Sequence, residues 1–280
     1  MLDMYGKFIG SISNAMYSYI LIILLIGGGI YFTIRTGFVQ RLLGEAFRVI
    51  MEPAEDQGEE SISAFQSMMV STASRVGTGN IVGVSTAICV GGYGAVFWMW
   101  VTAILGGASA FIESTLAQIY KKRDKDGSSY GGPSYYIEAG LKQRWLGVIF
   151  AVVLICTYAI GYNMLASYNL QSSFSGFSFY GKSTPIILGA ILAVLFAICV
   201  LGGGKRLTQI TGVLVPVMGV IYILVAIVVV IINIRHIPGV FANIFASAFD
   251  FKAIFGGFAG SALMQGIKRG LYSNEAGMGS

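Results

Sequence analysis

Charged side chains are scarce in this sequence, and their scarcity argues against a soluble fold. Only 11% of the 280 residues are charged, 55% are hydrophobic, and the mean hydropathy is +0.75. Soluble domains carry about 25% charged residues. Several apolar stretches also reach the roughly 20 residues that a helix needs to cross a bilayer. The composition therefore predicts an all-α, polytopic helical bundle embedded in a lipid bilayer.

Histidine and cysteine are nearly absent, which excludes much catalytic and metal chemistry. The single histidine, His236, lies beside Arg235 and a Pro-Gly turn, and the chain contains neither an HExxH nor a GxSxG motif. We therefore predict that the protein is not an enzyme and has no organic cofactor. The three cysteines lie in apolar runs, where we interpret them as small hydrophobic residues that neither bind a metal nor form a disulfide: Cys89, Cys156 and Cys199.

Polar connections are mostly short, so the apolar segments predict one compact bundle, a single transmembrane domain over residues 1–280. The first segment is interpreted as a retained helix, because it has neither the basic start nor the cleavage site of a signal peptide. A short amphipathic piece, Pro238–Ala248, precedes the last segment. The predicted segments are Tyr17–Ile34, Ile62–Val90, Ala95–Tyr120, Trp145–Leu170, Pro185–Leu201, Leu207–Ile232 and residues 250–280.

Lysine and arginine are distributed unevenly among the connections. Because cytoplasmic loops carry the excess of positive charge, we predict a multi-pass protein of the plasma (inner) membrane, with its amino terminus outside and its basic loops cytoplasmic. The net charge of +5 then requires no nucleic-acid partner. The eleven predicted cytoplasmic residues are Arg35, Arg41, Arg48, Lys121, Lys122, Arg123, Lys125, Lys142, Arg144, Lys205 and Arg206, and the four outside are Lys7, Lys182, Arg235 and Lys252.

One apolar segment is interrupted by the small polar stretch STASRVGTGNIVG, Ser71–Gly83. Glycine weakens a helix, and Thr and Asn are good residues to begin a new one. We therefore predict that the helix runs to about Val76, breaks, and restarts after Thr78. Backbone that is not helical survives at membrane depth only where protein or a water-filled cavity satisfies its polar groups.

Such a break creates two helix ends inside the membrane. The free amides of the restarted helix suit a carboxylate, and the free carbonyls at the earlier end suit a cation. The predicted ligands of this cation are the backbone carbonyls of Ser74, Arg75 and Val76. This pair of sites is what a cation-coupled amino-acid transporter needs. Close helix packing through Gly79 and Gly83 is the open alternative.

A second glycine-interrupted stretch, GIKRGLYSNEAGMGS, ends the sequence at Gly266–Ser280. Ser273 or Asn274 could cap a restarted helix there, with Glu275 in its first turn. Taken alone, the stretch is better interpreted as an ordinary cytoplasmic helix start. Two interrupted segments about five helices apart are, however, the pattern of corresponding helices in inverted repeats.

Four stretches resemble the alanine or glycine:cation symporter family. The resemblance implies the leucine-transporter-type fold of two inverted five-helix repeats, with an extra helix at 17–34, a first repeat at 62–232 and the start of a second at 250–280. Because family members are longer, we expect the second repeat to be largely absent and the chain to be a fragment or truncated product. The stretches are STASRVGTGNIVGVSTAI (Ser71–Ile88), FWMWVTAILG (Phe97–Gly106), GGPSYYIEAGL (Gly131–Leu141) and KRGLYSNEAGMGS (Lys268–Ser280).

The resemblance also implies uptake of alanine or glycine, driven by Na⁺ or alternatively by H⁺, by alternating access. By position in the family pattern, the resemblance assigns the substrate carboxylate to a turn at residues 78–80. It assigns the substrate ammonium group to open backbone carbonyls at residues 272–274, which would form the other half of the substrate pocket. In the stretch YNLQSS, Gln171 is expected to reach the substrate, although Ser173 replaces the family's usual Asn. The carboxylate turn is Thr78, Gly79 and Asn80, and the other half is Tyr272, Ser273 and Asn274.

Arg75 is a charge inside a membrane segment and needs a partner or water. Glu113 and Glu275 are the candidate partners, and both a structural ion pair and a coupling or gating role stay open. A passive channel or a fragment that does not transport is the alternative to a symporter. The sequence does not distinguish alanine from glycine or Na⁺ from H⁺, and it does not indicate the oligomeric state.

Overall fold

The computed structural model describes residues 2–16, 20–51, 63–77, 79–125, 129–250 and 261–275, and the described chain is mostly helical. The chain divides into two compact units. The first unit comprises Met1–Phe47, Gly79–Ser114 and Ile221–Ser280, and the second comprises Arg48–Thr78 and Thr115–Val220.

The helices follow the apolar pattern of the sequence closely. In chain order they are α1 (Leu2–Ala15), α2 (Leu21–Arg35), α3 (Leu43–Met51), α4 (Ala64–Arg75), α5 (Val84–Gly91), α6 (Gly94–Ile119), α7 (Pro133–Leu141), α8 (Arg144–Ile155), α9 (Asn163–Ser173), α10 (Thr184–Val200), α11 (Gly203–Ile232), α12 (Ile237–Ala248) and α13 (Ala262–Asn274). Wider π-helical turns lie at Gly79–Gly83 and Cys156–Tyr162, tighter 3-10 turns at Val39–Leu42 and Ile234–His236, and an antiparallel hairpin pairs β1 (Lys122–Arg123) with β2 (Ser129–Tyr130).

Within the described residues, three helical stretches are long and apolar enough to cross a membrane: Gly94–Ile119, Arg144–Ser173 and Arg206–Ile232. A fourth results if Leu21–Arg35 and Val39–Met51, which are bent by 68°, are taken as one span. The helices at 80–91 and 184–200 are apolar but shorter. These stretches confirm six predicted segments as helical, whereas the arrangement in two inverted repeats remains a prediction.

Apolar side chains on the long helices face outward. In α11, for example, Val225 is 58% exposed and Ile231 is 61% exposed. In water, an apolar surface of this extent would mark an interaction site or a tendency to aggregate. In a bilayer the same surface contacts lipid, so the exposure pattern agrees with the composition in defining a membrane-integral protein.

In the first unit, α6 packs closely against α12 and α13 through glycine. A Cβ atom at Gly266 of α13 would lie 2.5 Å from the Ala95 carbonyl oxygen and 2.6 Å from Trp98 Cβ. On the α12 side, the Trp98 indole N–H donates to the Ala248 carbonyl at 3.0 Å, and the ring of Phe249 lies 5.0 Å from that of Phe97. These contacts fix α12 and α13 along one helix.

The predicted N-terminal helix α2 also packs on α6 in the first unit. A Cβ atom at Gly29 would lie 3.0 Å from the Leu105 carbonyl oxygen. The Gln40 amide nitrogen donates to Thr33 Oγ1 at 2.9 Å and to the Ile104 carbonyl at 3.0 Å. These hydrogen bonds hold the 3-10 turn that follows α2 against α2 and α6.

Three helices, α1, α3 and α7, were not among the predicted segments, and α3 and α7 are only nine residues long. In the second unit, α7 packs on α8, where a Cβ at Gly147 would lie 2.5 Å from the Ser134 carbonyl oxygen. Lys142 ends α7 in the left-handed conformation, with φ 54°. Helices of nine residues are too short to be recognised by membrane-length hydrophobicity.

Candidate functional site

The predicted break in the helix that follows Ser63 is confirmed. Ser63 and Gln66 form a reciprocal capping box at the start of α4, with both bonds 3.1 Å long. The helix ends at Arg75, since the Val76 N–H still donates to Thr72 O at 2.8 Å but Val76 has a non-helical ψ of 88°. The next helical turn begins at Gly79, and Thr78 lies outside the described residues.

The residues predicted to offer carbonyls to a cation lie at the end of α4. Ser74 and Arg75 form its last turn, and Val76 follows it. The carbonyls of a final helical turn point to the negative end of the helix dipole, which favours a cation. Their position therefore fits the prediction, and their role toward Na⁺ remains a prediction.

On the far side of the break, the chain restarts as the π-helical turn Gly79–Gly83 and continues as α5. The Ser85 and Thr86 hydroxyls donate to the carbonyls four residues earlier, at 2.9 and 2.7 Å, and so satisfy carbonyls inside this segment. Single π-helical turns inside helices occur frequently at functional sites. Asn80, half-buried, lies in this turn.

The second interrupted stretch differs from its prediction. α13 begins at Ser261, whose Oγ accepts from the Met264 N–H at 3.2 Å, and continues to Asn274. Glu275 then ends the helix in the left-handed conformation, with φ 50°, and its N–H donates to Leu271 O at 3.2 Å. The prediction that Ser273 or Asn274 caps a restarted helix, with Glu275 in its first turn, is therefore wrong.

The reason lies in the two glycines that suggested an earlier break. Gly266 and Gly270 both face α6, where a Cβ atom would meet Ala95 O and Trp98 Cβ in one case and Thr102 Oγ1 and Met99 in the other. The glycines thus permit close helix packing instead of interrupting α13. Sequence reasoning missed this role, although the spacing of two small residues four apart is a known signal for helix packing.

Within the first unit, α13 also contacts α5 and the π-helical turn at Gly79–Gly83. A Cβ atom at Gly91 would lie 2.8 Å from Gln265 Cβ, and one at Gly83 would lie 3.9 Å from Arg269 Cδ. The carboxyl end of α13 therefore lies beside the start of the restarted helix. The two neighbouring elements carry five of the predicted substrate residues, whose role remains a prediction: Gly79, Asn80, Tyr272, Ser273 and Asn274.

One donor in this region has an unmet hydrogen-bonding requirement. The Asn274 amide nitrogen is buried and has no hydrogen-bond partner among the described residues. Its neighbours Ser273 and Glu275 are buried as well, at 9% and 5% exposure. Because buried donors are nearly always satisfied, such a group fits a ligand oxygen.

Gln171 lies in the second unit, near the end of α9. Its amide nitrogen donates to Ser172 Oγ at 3.0 Å, and its amide oxygen accepts a short hydrogen bond from the Tyr180 hydroxyl. Both ends of the amide are therefore held locally. A contact with substrate would exchange at least one of these bonds, and this role remains a prediction.

Arg75 and its two candidate partners, Glu113 and Glu275, lie in three different elements. Arg75 ends α4 and is half-buried, Glu113 lies half-buried in α6, and Glu275 follows α13. Arg75 belongs to the second unit and the two carboxylates to the first. Pairing of Arg75 with either carboxylate remains a prediction.

The broken helix and the outward-facing apolar helices define a polytopic membrane protein. The chain belongs to the sodium:alanine symporter family, whose family model matches residues 2–280.

Curated relatives match nearly all of the chain. It is 46% identical to "Probable sodium/glutamine symporter GlnT" of Bacillus subtilis, over 97% of this chain and 56% of that protein. It is 46% identical to "Amino-acid carrier protein AlsT" of the same organism, over 96% and 56%. It is 40% identical to "Sodium/alanine symporter AgcS" of Methanococcus maripaludis, over 97% and 61%. The chain thus spans between half and two thirds of the length of these relatives.

Proposed function

We propose that this protein contributes to sodium-coupled uptake of alanine or glycine by alternating access. The family and the names of its relatives support the class of transport. The single structural observation that carries the proposal is the buried Asn274 amide, which has no partner among the described residues and belongs to the helix packed against the restarted helix.

The substrate carboxylate is assigned to the start of the restarted helix. Gly79 and Asn80 lie in its first turn, at the positive end of the helix dipole. Thr78 joins them by its position in the family pattern. Carboxylate oxygens accept hydrogen bonds from such amides, so this turn selects a negatively charged group.

The ammonium group is assigned to the carboxyl end of α13. Because the helix ends at Asn274, the carbonyls of Tyr272, Ser273 and Asn274 lie in its last turn, at the negative end of the dipole. The corrected helix boundary therefore suits a cation at these residues better than the helix start that the sequence predicted. A zwitterion fits between ends of opposite polarity, and the Asn274 side-chain amide nitrogen, which is a donor, is assigned to an oxygen of the substrate carboxylate.

Na⁺ is assigned to the carbonyls of Ser74, Arg75 and Val76, with H⁺ as the alternative coupling ion. Oxygen ligands of this kind suit a hard cation, and the end of α4 supplies them from its backbone. We further propose that the protein lies in the plasma (inner) membrane with its amino terminus outside, as the distribution of lysine and arginine indicates.

Transport into proteoliposomes tests the proposal. Vesicles with an inward Na⁺ gradient should accumulate radiolabelled alanine above the external concentration, and collapse of the gradient should release it. Competition by unlabelled alanine, glycine and glutamine then ranks the substrates. Equilibration without accumulation would indicate a passive channel, and chemically altered alanine in the vesicles would indicate an enzyme; either result would overturn the proposal.

A further inference from the structure

Six exposed basic residues cluster at one edge of the second unit. This basic edge consists of Lys121, Lys122, Arg123, Lys125, Lys142 and Arg144, all with exposed side chains. Residues 121–144 contain three acidic residues, so the net charge of this segment is +3. One of the three, Asp124, already accepts the Lys125 backbone N–H at 2.7 Å.

The basic edge is held by the fold and is not a loose tail. Lys122 pairs with Tyr130 in the β-hairpin, and the Lys122 ammonium lies 5.4 Å from the centre of the Tyr135 ring. Gly131 lies close to Lys121, since a Cβ atom there would be 3.3 Å from Lys121 Cα. The chain then enters α7, which packs on α8, so the hairpin and the start of α8 are tied together.

The basic edge also lies where two membrane spans end. The first of the candidate spans, Gly94–Ile119, finishes two residues before Lys121, and the second, Arg144–Ser173, begins at Arg144. Whichever way the spans are oriented, their ends lie near the lipid headgroups. Trp145 is 58% exposed, with its indole N–H bonded to Gln143 Oε1 at 2.9 Å, and such aromatic side chains favour the membrane–water interface.

We propose that the basic edge binds the phosphate groups of anionic phospholipids. Lysine and arginine clusters immediately beside a span attract anionic headgroups and are screened by salt. The six side chains are spread along an open edge between two helix ends, which fits several headgroups in a plane better than one free phosphate ion. The binding is independent of the transported substrate.

The test compares lipids on the purified protein in a neutral detergent. Dioleoylphosphatidylglycerol or dioleoylphosphatidylcholine is added, and retained lipid is counted by native mass spectrometry. We expect preferential retention of phosphatidylglycerol, and a loss of at least about tenfold in its affinity in the triple variant Lys122→Gln, Arg123→Gln, Lys125→Gln. The matched control removes three exposed basic residues elsewhere and should retain the lipid: Lys7→Gln, Lys182→Gln and Arg235→Gln.

Several outcomes would overturn the proposal. Equal retention of the two lipids by the unaltered protein is one, and it does not depend on how any variant folds. An equal loss in both triple variants would show a response to net charge alone. Displacement of phosphatidylglycerol by millimolar inorganic phosphate at constant ionic strength would identify a free-anion site instead.

Discussion

Gly266 and Gly270 show how single residues set the distance between helices. Without side chains, they let α13 approach α6 so closely that a Cβ at Gly266 would lie 2.5 Å from a backbone oxygen. Helix association in membranes relies on van der Waals packing through such small residues, because lipid is as apolar as the side chains. These glycines therefore position the carboxyl end of α13 beside the restarted helix.

The substitution Gly266→Ala should destabilise the protein by about 1–3 kcal/mol, because α13 or α6 must shift to admit the methyl group. Thermal unfolding in detergent measures the change. Gly189→Ala, in α10, is the matched control, since a Cβ there meets nothing within 4 Å. Equal unfolding temperatures for the two variants would contradict the close packing of α13 on α6.

Asn274 differs from the glycines because its side chain needs a hydrogen-bond acceptor, whereas the glycines serve helix packing. Its amide nitrogen is buried and has no partner among the described residues. A buried donor that is left unsatisfied costs about 1–3 kcal/mol. Proteins retain such costs chiefly where a ligand, ion or water meets them, and for this reason Asn274 carries the functional proposal.

Among the helical segments, the interruption between α4 and the π-helical turn is the one on which the proposed binding site depends. Gly77 lies in the interruption, and a Cβ atom there would meet nothing within 4 Å. Space therefore does not demand glycine at this position. Its role is instead to disfavour a continuous helix.

The substitution Gly77→Ala should leave thermal stability unchanged or raise it while weakening alanine binding. Alanine is more favourable than glycine in a helix by about 1 kcal/mol, and a continuous helix would remove both helix ends. Measuring the unfolding temperature and the alanine dissociation constant of one preparation separates the two effects. Full retention of binding would show that the interruption does not depend on Gly77.

The interruption could be predicted from the sequence because its causes are local. Gly77, Thr78 and Gly79 disfavour a helix whatever surrounds them, and the predicted segment Ile62–Val90 that they interrupt is long enough to be a span. The structure accordingly ends α4 at Arg75, within one residue of the prediction. The residues of the proposed carboxylate turn followed from the same stretch.

The course of α13 could not be predicted in this way because its causes are tertiary. Gly266 and Gly270 weaken a helix locally, but contact with α6 stabilises the helix that contains them. The bond from the Trp98 indole to Ala248 joins residues 150 positions apart, which no local pattern encodes. Predictions that rested on glycine alone therefore failed where glycine serves packing.

For the chain as a unit, the distribution of lysine and arginine predicts one orientation in the membrane. Single cysteines introduced at Lys125 and Lys182, after replacement of the three native cysteines, test it with a membrane-impermeant maleimide. We expect Lys182→Cys to react in intact cells and Lys125→Cys to react only after permeabilisation, because the basic loops are cytoplasmic. Labelling in the reverse pattern would invert the orientation, and identical labelling would contradict the number of spans between the two positions.

The most direct test of the functional account is equilibrium binding of radiolabelled alanine to the purified 280-residue chain, in Na⁺ and in choline. The account predicts binding in Na⁺ that is lost in choline, abolished by Asn274→Asp, and preserved by the control Asn233→Asp. Asn233 is exposed, and its side-chain amide nitrogen donates locally to Val229 O at 2.9 Å. Equal binding in choline, or no binding by a chain that unfolds cooperatively, would contradict a sodium-coupled site at these helix ends.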